Sequence, residues 1–166
     1  SIGLFKKVVI ADSFAIIADI GYASASTLST VMAWVISLSY TMQVYFDFSG
    51  YSDAAIGIAM MIGIYIPANF NSPYQALSII EFWQRWHISL SNFITTYLYT
   101  PMVRSFKKIT FNKAMLATLV AMIIAGIWHG STINFVIFGF LHGVGLVLNN
   151  YWKKKIKIKL PNFLAW

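Results

Sequence analysis

The side chains best suited to moving a proton in this chain are its three histidines, His87, His129 and His142. Imidazole titrates near neutrality, so it can take a proton from a hydroxyl and give it back. His129 is the sharpest case. It stands in Trp128-His129-Gly130, inside a charge-free run of 39 residues from position 114 to position 152. About 20 apolar residues cross a bilayer, so this run belongs in lipid, where an ionisable group is costly unless it faces protein or water. An imidazole there is either a proton-transfer group or a hydrogen-bonding tie between helices. His87, in Arg85-Trp86-His87, falls about 70° from the middle of an apolar helical stripe, which fits an interfacial residue or one facing a cavity. His142 would point about 140° away from His129 on an unbroken helix, and is read as a packing residue.

The histidines are separated by 42 and 13 residues, with no cysteine and no pair on one helical turn, which makes a poor metal site. No phosphate loop, dinucleotide fingerprint or serine elbow is present. The carboxylates worth weighing are Asp47 and Asp53, in Tyr45-Phe46-Asp47-Phe48-Ser49-Gly50-Tyr51-Ser52-Asp53. Asp53 suits the start of a following helix, where its charge complements the helix dipole. Asp47 is open between an interfacial position and the polar wall of a cavity at membrane depth. Asp12 and Asp19 are read as solvated.

The elements that must position these groups are set by composition. Hydrophobic residues make up 58% and charged residues 10% of 166, against roughly 25% charged in soluble domains, and mean hydropathy is +0.69. This predicts an all-α, multi-pass integral membrane protein, with residues 1–166 forming one membrane-embedded portion. The net charge of +7 is carried by Lys6 and Lys7, by a cluster at 104–113 and by Lys153 to Lys155, Lys157 and Lys159. These clusters punctuate apolar runs, as cytoplasmic loops facing anionic lipid do, and do not make a nucleic-acid face.

In chain order, the pattern predicts an interfacial opening, a spanning helix over 28–46, a short helix over 54–66 stopped by Pro67, and a turn-rich connection through Asn69, Asn71 and Pro73. Thirteen residues over 54–66 rise only about 20 Å, which suggests a re-entrant segment. One amphipathic helix follows over 78–99, with Glu81 and Arg85 spaced to pair. Residues 114–128 rise about 22 Å and 131–151 about 31 Å. If the basic clusters at Lys107 and Lys154 share a side, the chain goes in and returns, with His129 near the turn and that turn within the membrane.

Taken together, the opening segment, the Asp47 block, Pro67 to Tyr74, Glu81-Phe82-Trp83-Gln84-Arg85-Trp86-His87-Ile88-Ser89-Leu90-Ser91 and Ile127-Trp128-His129-Gly130 resemble the membrane-bound O-acyltransferase family, most closely its bacterial alginate O-acetyltransferase branch. Members are longer, so the chain looks like a central to C-terminal portion. The resemblance implies transfer of acetyl from a cytoplasmic thioester, acetyl-CoA or an acyl carrier, to hydroxyls of an exported or envelope polysaccharide. It further implies a bacterial inner-membrane location, contact with lipid, and an envelope or periplasmic acetylation partner protein. The donor is a substrate, and no bound cofactor is expected. The catalytic histidine of the family falls on His129, acting as general base in a buried, partly dry site, with His87 second. Asp47, Asn71, Trp86 and Trp128 are the candidates for substrate contact. The chain departs from the branch at Thr95-Thr96-Tyr97-Leu98-Tyr99-Thr100-Pro101, where an Arg-Asp usually precedes Tyr-Leu-Tyr. Two alternatives stand beside this reading. One is D-alanyl transfer to teichoic acid. The other is a proton-coupled transporter using Asp47, His87 and His129 as a relay, a class whose paired broken helices would need a second break.

Overall fold

Runs of apolar residues with few breakers make helices here, and the computed structural model describes residues 2–156, with no strand among them. The basic positions Lys157 and Lys159 lie outside the described residues. The chain divides into two compact units, Ser1–Asn69 and Phe70–Trp166.

In the first unit, helix α1 (Ile2–Leu4) passes through a π-helical stretch (Phe5–Ala11) into α2 (Asp12–Ala23). After a short connection, α3 runs unbroken over Thr30–Met61, capped by the Ser29 hydroxyl accepting from the Met32 amide. Its 32 residues rise about 48 Å. The predicted interruption at Asp47 to Asp53 and the separate short helix over 54–66 are therefore corrected. Gly50 does not break the helix. It gives room for a close crossing, since a Cβ there would lie 2.7 Å from the Gly3 carbonyl oxygen, and one on Gly3 would lie 2.6 Å from that of Gly50. Helix α3 ends at Met61, where Gly63 takes a left-handed φ of 76°, so glycine rather than Pro67 marks the stop.

In the second unit, the predicted single amphipathic helix is broken. Helix α4 (Ile79–Arg85) and helix α5 (Ile88–Ile94) flank Trp86 and His87, and α5 continues through a π-helical stretch (Thr95–Tyr99) into α6 (Thr100–Ser105). Two long helices follow, α7 (Phe111–His129) and α8 (Ile133–Tyr151). Helix α7 starts three residues before the charge-free run, because the Thr110 hydroxyl caps it by accepting from the Lys113 amide. Its 19 residues rise about 28 Å rather than 22 Å, so a short first arm does not set the depth of the turn.

Helices α7 and α8 form a hairpin held by small residues. Ala117, Ala121, Ala125 and Gly126 are buried along one face of α7. A Cβ on Gly126 would strike the Phe135 carbonyl oxygen, and one on Gly139 that of Met122. Such stripes let backbones meet, and the pair closes one turn before His129. At the other end Tyr151 donates to the Asn112 side-chain carbonyl at 2.7 Å, and the Lys154 ammonium lies 4.0 Å from the centre of the Phe111 ring. The basic groups flanking the hairpin thus gather at one end, as an in-and-back path requires. Both helices are long and apolar enough to cross a membrane, and only 33% and 17% of their apolar windows are buried, unlike the core helices of a soluble protein.

Candidate functional site

His129 is the last residue of α7, with Gly130 beyond it in extended conformation and its amide bonded to the Ile127 carbonyl. A Cβ at 130 would meet the Phe135 ring, so a larger residue there would have to displace that ring. The imidazole is surrounded by aromatic rings on the hairpin: Trp128 at 5.0 Å edge-on, Phe138 at 6.2 Å edge-on and Phe135 at 6.3 Å nearly parallel. It is exposed, and so is Trp128, at 65%. These rings pack against the imidazole and still leave it exposed.

His87 is half-buried and caps α5 with φ 43° and ψ 58°, in the left-handed region. Its place on a helical wheel is therefore void, since the helix breaks at that residue. Burial pushes its imidazole below the ordinary value, and charge on His129 pushes in the same direction. Both imidazoles lie within the same compact unit.

The break is held by a polar network. Ser78 caps α4 by accepting from the Glu81 amide, and the Glu81 carboxylate accepts from the Leu77 amide at 2.9 Å and from Arg85 at 3.0 and 2.7 Å. The Leu77 amide and then Arg85 hold this carboxyl below its usual range. Arg85 reaches on to the Asn71 backbone carbonyl at 3.3 Å, and the Asn71 amide donates to the Arg85 carbonyl at 3.0 Å. Asn71 thereby acts through its backbone. Ser91 donates to the Trp83 carbonyl at 2.9 Å, with the Trp86 carbonyl at 3.3 Å. Trp86 packs in an aromatic cluster with Phe70, Tyr74 and Phe82, at ring distances of 5.1, 6.2 and 5.6 Å.

His142, on α8, packs edge-on to Trp83 at 5.2 Å and against Phe138 at 4.5 Å, so Phe138 touches both imidazoles of the hairpin. Asp47 belongs to the first unit. It pairs with Lys7 at 2.7 Å, Lys7 also holds Asp12 at 3.0 Å, and Asp53 pairs with Lys6 at 2.7 Å. Hydrogen bonds to Asp47 and then Asp12 raise the Lys7 ammonium above its ordinary value. Asp53 is thus a mid-helix ion-pair partner rather than a cap. Asp47 lines a cavity of about 330 Å³ with Lys7, Phe48 and Tyr51. Ser91 and Phe138 were not among the expected site residues. The hydroxyl four places after His87 was the available signal for Ser91.

Residues 2–165 match the model of the membrane-bound O-acyltransferase family. The chain is 48% identical to a peptidoglycan O-acetyltransferase of Helicobacter pylori, over 100% of this chain and 32% of that protein. It is 47% identical to a probable alginate O-acetylase of Azotobacter vinelandii, over 99% of this chain and 32% of the relative. A teichoic acid D-alanyltransferase of Bacillus subtilis is 34% identical over 71% of this chain. The chain spans about a third of the length of these curated relatives. The resemblance carried by the histidine-bearing blocks is borne out, as is the all-helical membrane class.

Proposed function

The chain belongs to the membrane-bound O-acyltransferase family, and from that premise we propose that it forms part of a bacterial inner-membrane O-acetyltransferase acting on an envelope or exported polysaccharide. The observation that carries this reading is likeness over essentially the whole chain to two relatives named for O-acetyl transfer, while the D-alanyl-transferring relative matches 71% of it. A cytoplasmic thioester, acetyl-CoA or an acyl carrier, serves as donor, and an envelope protein receives or presents the acceptor.

His129 acts as general base. Its imidazole takes the proton of an acceptor hydroxyl, the hydroxyl oxygen attacks the thioester carbonyl, the C–O bond forms and the C–S bond breaks. The proton then passes from His129 to the leaving thiolate, so an ester and a thiol result. An imidazole packed against aromatic rings and still exposed suits this, because it is oriented and reachable. His87, held low by burial and by charge on His129, accepts or donates a hydrogen bond to substrate. Trp128 and Trp86, which adjoin the two imidazoles in the chain, are candidates for substrate contact, and Asn71 and Asp47 are separate candidates, Asp47 in the first unit.

The test is His129→Gln beside His129→Ala, compared at matched levels of the protein in membranes, with ester formation on the polysaccharide measured by mass. Glutamine keeps a hydrogen bond and cannot take up a proton near neutral pH. Both variants are expected to insert normally and to lose transfer by about 10² to 10⁴. Substantial transfer by His129→Gln would overturn the assignment of the base. Label from a D-alanyl donor, in place of acetyl, appearing on the acceptor would move the reading to the other branch.

A further inference from the structure

We propose that Ser91 is a positioning residue for His87. It fixes the break between α4 and α5 that aims the His87 imidazole. The proposal rests on the role given to His87 above.

The φ of 43° at His87 is rare for a side chain bearing a Cβ, and glycine or asparagine would occupy it at less cost. Neither is there, and no proline or glycine lies anywhere in residues 74–100 to cause a break. The break must therefore be made by partners. A broken helix leaves carbonyls at the end of its first arm without the amides of a next turn. Along α4 and the residue after it, the Phe82 carbonyl still receives the Trp86 amide at 2.9 Å, and the Arg85 carbonyl receives the Asn71 amide at 3.0 Å. The Trp83 and Trp86 carbonyls have the Ser91 hydroxyl, at 2.9 and 3.3 Å. Ser91 sits on the first turn of α5, and its own amide donates to the His87 carbonyl at 3.0 Å. One residue thus holds the carbonyl of His87 through its backbone and the carbonyls on the near side of the break through its side chain.

A hydroxyl carries one proton, and the shorter contact assigns it chiefly to Trp83, with Trp86 sharing it. Without it the backbone between Trp83 and His87 loses a contact across the break, and the His87 side chain, carried on that backbone, shifts from its position. Misplacement of a contacting group by about 1 Å costs on the order of 100-fold in rate.

The experiment uses the protein in membranes and four substitutions: Ser91→Ala, Ser91→Cys, Ser91→Thr and His87→Ala, with His129→Gln alongside. Ser91→Ala is expected to lower transfer by about 10- to 100-fold with the donor KM little changed. Ser91→Thr, which keeps the hydroxyl, should restore most of it. Ser91→Cys, of similar size with a weak donor, serves if alanine impairs folding, and should behave like alanine. In the His87→Ala background, removing the Ser91 hydroxyl should cost nothing further, because the group it positions is gone. Independent of turnover, isotope-labelled histidine resonances should shift for His87 in Ser91→Ala, return in Ser91→Thr, and stay put for His142. Full transfer by Ser91→Ala, additive losses in the double variant or an unmoved His87 resonance would each overturn the proposal. Full transfer by His129→Gln would overturn the proposed function instead, and leaves the resonance test of Ser91 intact.

Discussion

Two polar stretches interrupt apolar sequence in this chain, and the backbone meets them in opposite ways. From Tyr45 to Asp53 it stays helical within 32 continuous residues, while at Trp86 and His87 it breaks between two helices of seven residues each. In the first stretch the two carboxylates are satisfied from outside the helix. Lys6 and Lys7 arrive across the Gly3 and Gly50 crossing to pair with Asp53 and Asp47, so no backbone bond has to yield. In the second the side chains turn inward to the backbone itself. Ser91 and Asn71 accommodate the carbonyls that a break releases. A helix thus breaks where local donors are placed to receive its carbonyls, and a glycine alone does not break it.

The contrast can be attacked at its strongest point first. Gly50→Leu puts a side chain onto the Gly3 backbone, which cannot move aside, and should cost about 1–3 kcal/mol or more of stability, read as a fall in thermal unfolding temperature in detergent. An unchanged midpoint would mean that the close crossing does not hold α3. Next, His87→Val should cost about 1–3 kcal/mol because a β-branched residue resists φ 43°, whereas His87→Asn should unfold close to the parent while losing the imidazole. Equal stability of the two would remove the left-handed residue from the account.

A smaller effect is set by pH. The folded-state value of His87 lies below 6.5, so the unfolded chain binds more protons between the two values. The contribution of His87 to stability is full above 6.5 and declines as pH falls through that window. Removing His87 should flatten this dependence, measured as unfolding midpoint against pH. Smallest of all, Asp47→Asn should change stability by no more than about 1 kcal/mol, since its pair with Lys7 is about half-exposed. A double-variant cycle with Lys7→Met would read the coupling directly.

The same two stretches show what the sequence reveals and what it conceals. Hydropathy and charge spacing point to a helical membrane chain, and the histidine-bearing motifs point to its family. Helix ends are read less well, because they depend on donors as well as on apolar pattern. Gly50 and the two carboxylates look like a break when lysines 40 residues earlier in the chain are out of view. Trp86-His87-Ile88 looks continuous, because its apolar period continues through the break and the hydroxyl that receives the loose carbonyls follows it. Lys113 looks like loop by its charge, yet it lies in the first turn of α7, capped by Thr110, with its ammonium 5.3 Å from the Phe106 ring centre. The exposure of His129 could not be read from its apolar neighbours, since rings that pack against it still leave it reachable.

The tight hairpin of α7 and α8 has a consequence for how this segment is made. Its helices are joined by three residues and touch backbone to backbone at Gly126 and Gly139. Pairing at so short a sequence separation is fast compared with the assembly of distant helices. The two arms can therefore enter lipid together, with the basic groups at their base kept at one end. The leading edge that must pass through the hydrocarbon is Trp128 to Thr132, which carries no fixed charge. An imidazole travels there at far lower cost when neutral than a lysine or aspartate would. The position that suits a proton acceptor is thus also one that the nascent chain can deliver across the bilayer, and a permanent charge at residue 129 should fail at insertion before it fails at chemistry.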